Sequence, residues 1–177
     1  MTYEVKSLIY EVTESCDLGC RYCYNYWLDG LEKRDAKKLP SKESWFEITD
    51  ELLDEVDVDR IVLSGGEPLK LDYVSDLCKY LGSKGVDVDL LTGAQGLTEE
   101  RVKSLVKSGV KLFEISLLSF EKEEHNDLVG GDNFAETIRA MKLAKKHGAD
   151  LCTIYDKSAV FFPNYLVTYR FTGHFRG

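Results

Sequence analysis

Five short runs rich in β-branched residues alternate with four amphipathic stretches, and that alternation limits the fold more than anything else in the chain. The strand-like runs are 5–12 (VKSLIYEV), 60–64 (RIVLS), 86–92 (VDVDLLT), 110–118 (VKLFEISLL) and 149–155 (ADLCTIY). Between them lie four expected helices. The first covers 42–56, capped by Ser41, with Trp45, Ile48, Leu52 and Val56 at helical spacing. The second covers 71–82 and ends on Gly82. The third runs from a Thr98 cap to Gly109, with Glu99 and Glu100 where the helix dipole favours acids. The fourth runs from an Asn133 cap to His147, with Gly148 as its stop. Strands and helices in this order build parallel βαβ units. Periodicity alone leaves an open doubly wound sheet and part of a barrel equally open. At 177 residues the chain can bury the core of one domain.

Residues 156–177 break this style. Asp156 is their only acid, and they carry Phe161, Phe162, Tyr165, Tyr169, Phe171 and Phe175. The expected division is a core over 1–155 and an atypical aromatic tail over 156–177. The tail reads as an edge strand pair, an interaction segment, or the abnormal end of a truncated or frame-shifted chain. A net charge of −8 argues against a broad nucleic-acid or anionic-membrane surface. No apolar run is long enough to span a bilayer, and the first residues lack the pattern of a signal peptide. The expected setting is the cytoplasm.

Three of the five cysteines fall within eight residues, as Cys16-Asp-Leu-Gly-Cys20-Arg-Tyr-Cys23. In a reducing compartment that grouping reads as a metal site before a disulfide. Thiolates suit iron–sulfur clusters or zinc. Three of them can take three corners of a cubane and leave one iron open. Zinc needs a fourth ligand, and His125, His147 and His174 all lie far off in sequence. Cys78 and Cys152 sit among apolar neighbours and read as core residues. The segment after the first strand, 13–40, is expected to be a loop whose second half is charged and solvent-exposed.

A second motif, Gly65-Gly66-Glu67-Pro68, follows the second strand. A C-x3-C-x2-C loop after strand one and a GGEP turn after strand two, in that order, resemble the radical S-adenosylmethionine (SAM) superfamily. The resemblance covers about residues 5–155. It implies a partial (β/α) barrel, incomplete at the C-terminus, with a [4Fe–4S] cluster on Cys16, Cys20 and Cys23. It implies that SAM chelates the open iron and is cleaved by one electron to a 5′-deoxyadenosyl radical, which abstracts hydrogen from a peptide or small-molecule substrate. It implies an electron donor: a reductase, ferredoxin or flavodoxin. The carbonyls of Gly65 and Gly66 would take the SAM ammonium, with Glu67 and Pro68 holding the turn's shape. Ser116 would reach the ribose or carboxylate. Tyr22 and residues 151–154 would contact adenine. His125, in the segment His125–Gly130, is expected to be structural.

Two departures accompany the resemblance. Thr92-Gly93-Ala94-Gln95-Gly96 stands where the family often has Thr-Asn-Gly, and Leu118 stands where it often has a polar residue. A sixth βα unit is not recognisable, so the sheet edge after strand five needs cover from the tail or from a partner. The alternative to an enzyme is a truncated relative that binds a cluster or partner without turnover.

Overall fold

The computed structural model describes residues 3–23, 40–154 and 168–170. The charged second half of the loop, up to residue 39, lies outside them, as does most of the tail.

The expected first strand is two strands. β1 (Tyr3–Val5) and β2 (Leu8–Thr13) are separated by Lys6 and Ser7, both exposed. β1 pairs in parallel with β3 (Val56–Val58), and the Asp59 amide donates to the Val5 carbonyl at 3.2 Å. The break lets β1 serve that small sheet while β2 enters the main one.

The main sheet adds β4 (Arg60–Gly65), β5 (Asp87–Thr92), β6 (Val110–Ser116), β7 (Asp150–Ile154) and β8 (Thr168–Arg170), in the order β2-β4-β5-β6-β7-β8. The first five are parallel. Each crossover strand joins beside its predecessor, with no reversal of order. A doubly wound sheet needs that reversal and a barrel does not, so the winding is that of a partial barrel. β8 is antiparallel to β7, with Cys152 opposite Arg170, so part of the expected tail pairs with the strand-five edge.

Ile61 and Leu63 of β4, Val88 and Leu90 of β5, and Phe113 and Ile115 of β6 are fully buried, at alternate positions. They share one core with Leu77 and Leu81 of α2 (Val74–Ser83), Val102 and Leu105 of α3 (Glu99–Lys107), and Ala140 and Ala144 of α5 (Phe134–Lys146). Cys78 and Cys152 are both buried. None of the helices described is long and apolar enough to cross a membrane.

The helices differ from expectation in four places. In α1 (Lys42–Glu55) Ile48 is exposed, and Thr49 takes the buried position, its hydroxyl donating to the Trp45 carbonyl at 2.7 Å. The second helix is delayed by a 3-10 turn at Pro68–Lys70 and runs through Gly82, the chain turning instead at Gly85. A fifth helix, α4 (Lys122–Val129), stands where only loop was expected. The side chain of Asn133 does not cap α5. Asn126 does so, its Oδ1 accepting from the amides of Asn133 at 3.0 Å and Phe134 at 2.9 Å.

Candidate metal centre

Loops leaving the C-terminal ends of β2, β4, β5 and β6 meet at one end of the sheet, where a barrel fold places its chemistry. The cysteine loop is gripped from two sides. On the first, the Gly66 amide donates to the Thr13 carbonyl at 2.5 Å and the Glu67 amide to the Ser15 carbonyl at 2.8 Å. Both glycines are required by this approach. A Cβ on Gly65 would lie 2.2 Å from the Thr13 carbonyl oxygen, and one on Gly66 2.4 Å from that of Ser15. Lys70 Nζ adds contacts of 2.8 and 2.7 Å to the two carboxylate oxygens of Asp17. On the second side, the amides of Gly19 and Arg21 donate to the carbonyls of Val129 at 3.1 Å and Leu128 at 3.0 Å. Arg21 also pairs with Asp127 at 2.6 Å.

The thiols of Cys16, Cys20 and Cys23 are all free; Cys16 is exposed and the other two are half-buried. Burial pushes the Cys20 thiol up to about 11, opposed by a hydrogen bond with Tyr22 and reinforced by Cys16 and Cys23. Cys16 is also raised, first because its sulfur is desolvated, and further by the charges of Glu67, Cys23 and Asp17. Bound metal charge reverses this bias and favours the thiolates. Burial also raises the Tyr22 phenol, with Cys20 adding to the rise and Ser116 opposing it.

Glu67 is buried and joins two loops. It accepts from the Leu69 amide at 3.1 Å, the Thr92 hydroxyl at 2.7 Å and the Gly93 amide at 2.9 Å. Burial pushes its carboxyl up to about 7 against the pull of those donors. Pro68 opens the short turn that follows. The run Thr92–Gly96, which lacks the expected asparagine, receives an amide from another element: Asn133 Nδ2 donates to the Gly93 carbonyl at 2.8 Å. Ala94 there has φ +70° and is fully buried, a strained conformation for a residue with a side chain. His125 is buried, takes the Leu118 amide on Nδ1 at 3.2 Å and meets the Phe134 ring edge-on at 5.6 Å. Burial lowers its pKa, and its place is structural.

Sequence reasoning set the segment His125–Gly130 after strand four but gave Asn126, Asp127 and Gly130 no part in holding this site, and read Asn133 only as a helix cap. The polar run around His125 was the available signal.

Among the described residues no group of three or more His, Cys, Asp or Glu is gathered around one ion position. A cubane takes each thiolate on a different iron at a separate corner. Three soft thiols outside any disulfide, on one doubly held loop, are the type of donor it takes.

Comparison with known proteins agrees with this geometry. The sequence model described as the radical SAM superfamily matches residues 10–156. The uncharacterized protein MJ0804 of Methanocaldococcus jannaschii is 31% identical over 138 residues, covering 77% of this chain and 43% of that protein. The crystal structure of Streptococcus suis SuiB bound to precursor peptide SuiA is similar in fold, with a TM-score of 0.69 at 22% identity, over 85% of this chain and 32% of SuiB. Methylornithine synthase (PylB) is similar with a TM-score of 0.62 at 15% identity, over 85% of this chain and 43% of PylB. This chain spans less than half the length of each of these three proteins. Family match, strand winding and the meeting of the two motif loops agree: the chain belongs to the radical SAM superfamily.

Proposed function

We propose that this chain is the core of a radical SAM enzyme that acts on a peptide or small-molecule substrate. The observation that carries the reading is the locking of the cysteine loop to the Gly65–Pro68 turn at the C-terminal ends of adjacent strands. Cys16, Cys20 and Cys23 hold three irons of one [4Fe–4S] cluster, and the fourth is left to SAM. With both cofactors bound, one-electron cleavage of SAM supplies a 5′-deoxyadenosyl radical that abstracts hydrogen from the substrate. The chain's own residues orient and exclude. The carbonyls of Gly65 and Gly66 receive the SAM ammonium. Glu67 and Pro68 keep that turn in shape. Ser116 would reach the ribose or carboxylate, and Tyr22 would contact adenine. The peptide class is supported by SuiB, whose structure holds a precursor peptide. A reductase, ferredoxin or flavodoxin supplies the electron, in a reducing cytoplasm.

The test is anaerobic reconstitution with iron and sulfide, then reduction with SAM present. Formation of 5′-deoxyadenosine is the expected result. A cluster without that product assigns the chain to non-catalytic cluster or partner binding. Stoichiometric zinc without iron rejects the cluster altogether.

A further inference from the structure

Helix α4 is short and strongly polar, and only His125 and Val129 of it are buried, so its own packing gives little reason for its presence. Its last turn is nevertheless in full use. The Asn126 carbonyl takes the amides of Gly130 and Gly131. The carbonyls of Leu128 and Val129, for which a helix end supplies no donor of its own, take the amides of Arg21 and Gly19. Those two amides flank Cys20. Gly130, at φ +69°, sits so close that a Cβ would lie 2.6 Å from the Gly19 carbonyl oxygen and 2.9 Å from its carbon. A glycine that only ended a helix would sit in open space. Gly148 does so after α5, at φ +79° with nothing within 4 Å. Behind α4, Asn126 secures the start of α5 and His125 takes the Leu118 amide.

Resting on the cluster assignment above, we propose that the C-terminal turn of α4 positions Cys20 and also shields the cluster from its neighbouring amides. An N–H that donates to cluster or ligand sulfur raises a cluster's reduction potential. The amides of Gly19 and Arg21 are committed to carbonyls and do not donate to sulfur. The negative end of the α4 dipole acts in the same direction. The device therefore keeps the potential low, and Gly130 is the residue that lets the helix end come close enough to do it.

The test uses the whole chain and three readouts: amide hydrogen exchange in the metal-free protein, iron retention after reconstitution, and the midpoint potential. In the wild type, the Gly19 and Arg21 amides should be protected. Gly130→Asn keeps a residue that tolerates left-handed backbone but brings the clashing Cβ. It should remove that protection, lower cluster retention roughly tenfold, and move the potential upward. Gly148→Asn carries the same backbone demand in open space and should match the wild type in all three. Free exchange of Gly19 and Arg21 in the wild type overturns the proposal whether or not iron binds. So does a Gly130→Asn chain with wild-type exchange, retention and potential, or equal losses in Gly148→Asn. A wild type with protected amides that takes up no iron fails the proposed function instead, and with it the shielding role.

Discussion

The loops at the two ends of the sheet differ in the polar side chains they desolvate. At the N-terminal ends of the strands, Lys6 meets Asp59 at 3.0 Å and Lys111 meets Asp87 at 2.5 Å, all in contact with solvent. Such pairs are worth at most about 1 kcal/mol. At the C-terminal ends Glu67 is buried under three donors, the Tyr22 phenol and Cys20 thiol are desolvated, and Ala94 holds a strained backbone. Burying polar groups costs free energy that solvated ion pairs avoid. Solvated ion pairs stand at the C-terminal ends too, Lys70 with Asp17 and Arg21 with Asp127, and Asp89 of β5 is buried beside Arg60, so what sets the C-terminal end apart is the group of desolvated polar side chains on its loops. Local rules are broken where function requires a set geometry.

The largest expected effect separates the loop cysteines from the core. Cys16→Ala, Cys20→Ala and Cys23→Ala should each abolish cluster retention, while Cys78→Ala should keep it. Iron analysis after reconstitution decides, and iron retained by all three loop variants would break the comparison. Next comes Glu67. Its folded pKa is raised from 4.5 to about 7, so its contribution to stability is full below about pH 4.5 and is lost as pH rises through about 7. The loss is on the order of 3 kcal/mol. Urea unfolding across that window should show the decline in the wild type and a flatter curve in Glu67→Gln; parallel curves would contradict the burial argument. Gly66→Ala, with its Cβ 2.4 Å from the Ser15 carbonyl oxygen, should cost about 1–3 kcal/mol in the same assay. The smallest effects belong to the other end: Lys6→Ala and Lys111→Ala should each change stability by less than about 1 kcal/mol.

Legibility in the sequence follows the same division between local and distant causes. The cysteine loop and the Gly65–Pro68 turn could be read because ligand spacing and glycine content are local. The parallel βα order could be read because each buried strand carries its own apolar run. Helix α4 could not, because Lys-Glu-Glu-His-Asn-Asp-Leu-Val has no apolar stripe. It is held by the cysteine loop, remote in sequence, and by His125 against its neighbours Leu118 and Phe134. Asn133 looked like a cap because of its position, but Asn126 reaches across a turn to do that work, and Asn133 instead donates its Nδ2 to the Gly93 carbonyl. The split between β1 and β2, and the pairing of β8 with β7, depend on partners remote in sequence.

The account rests on three thiolates sharing one cubane whose remaining iron is open to SAM. The most direct measurement is the electron paramagnetic resonance spectrum of the reconstituted, reduced chain with and without SAM, read beside its iron and sulfide content. The account predicts four irons and four sulfides per chain and a signal that changes when SAM is added. A chain without iron, or a cluster signal indifferent to SAM, would contradict it.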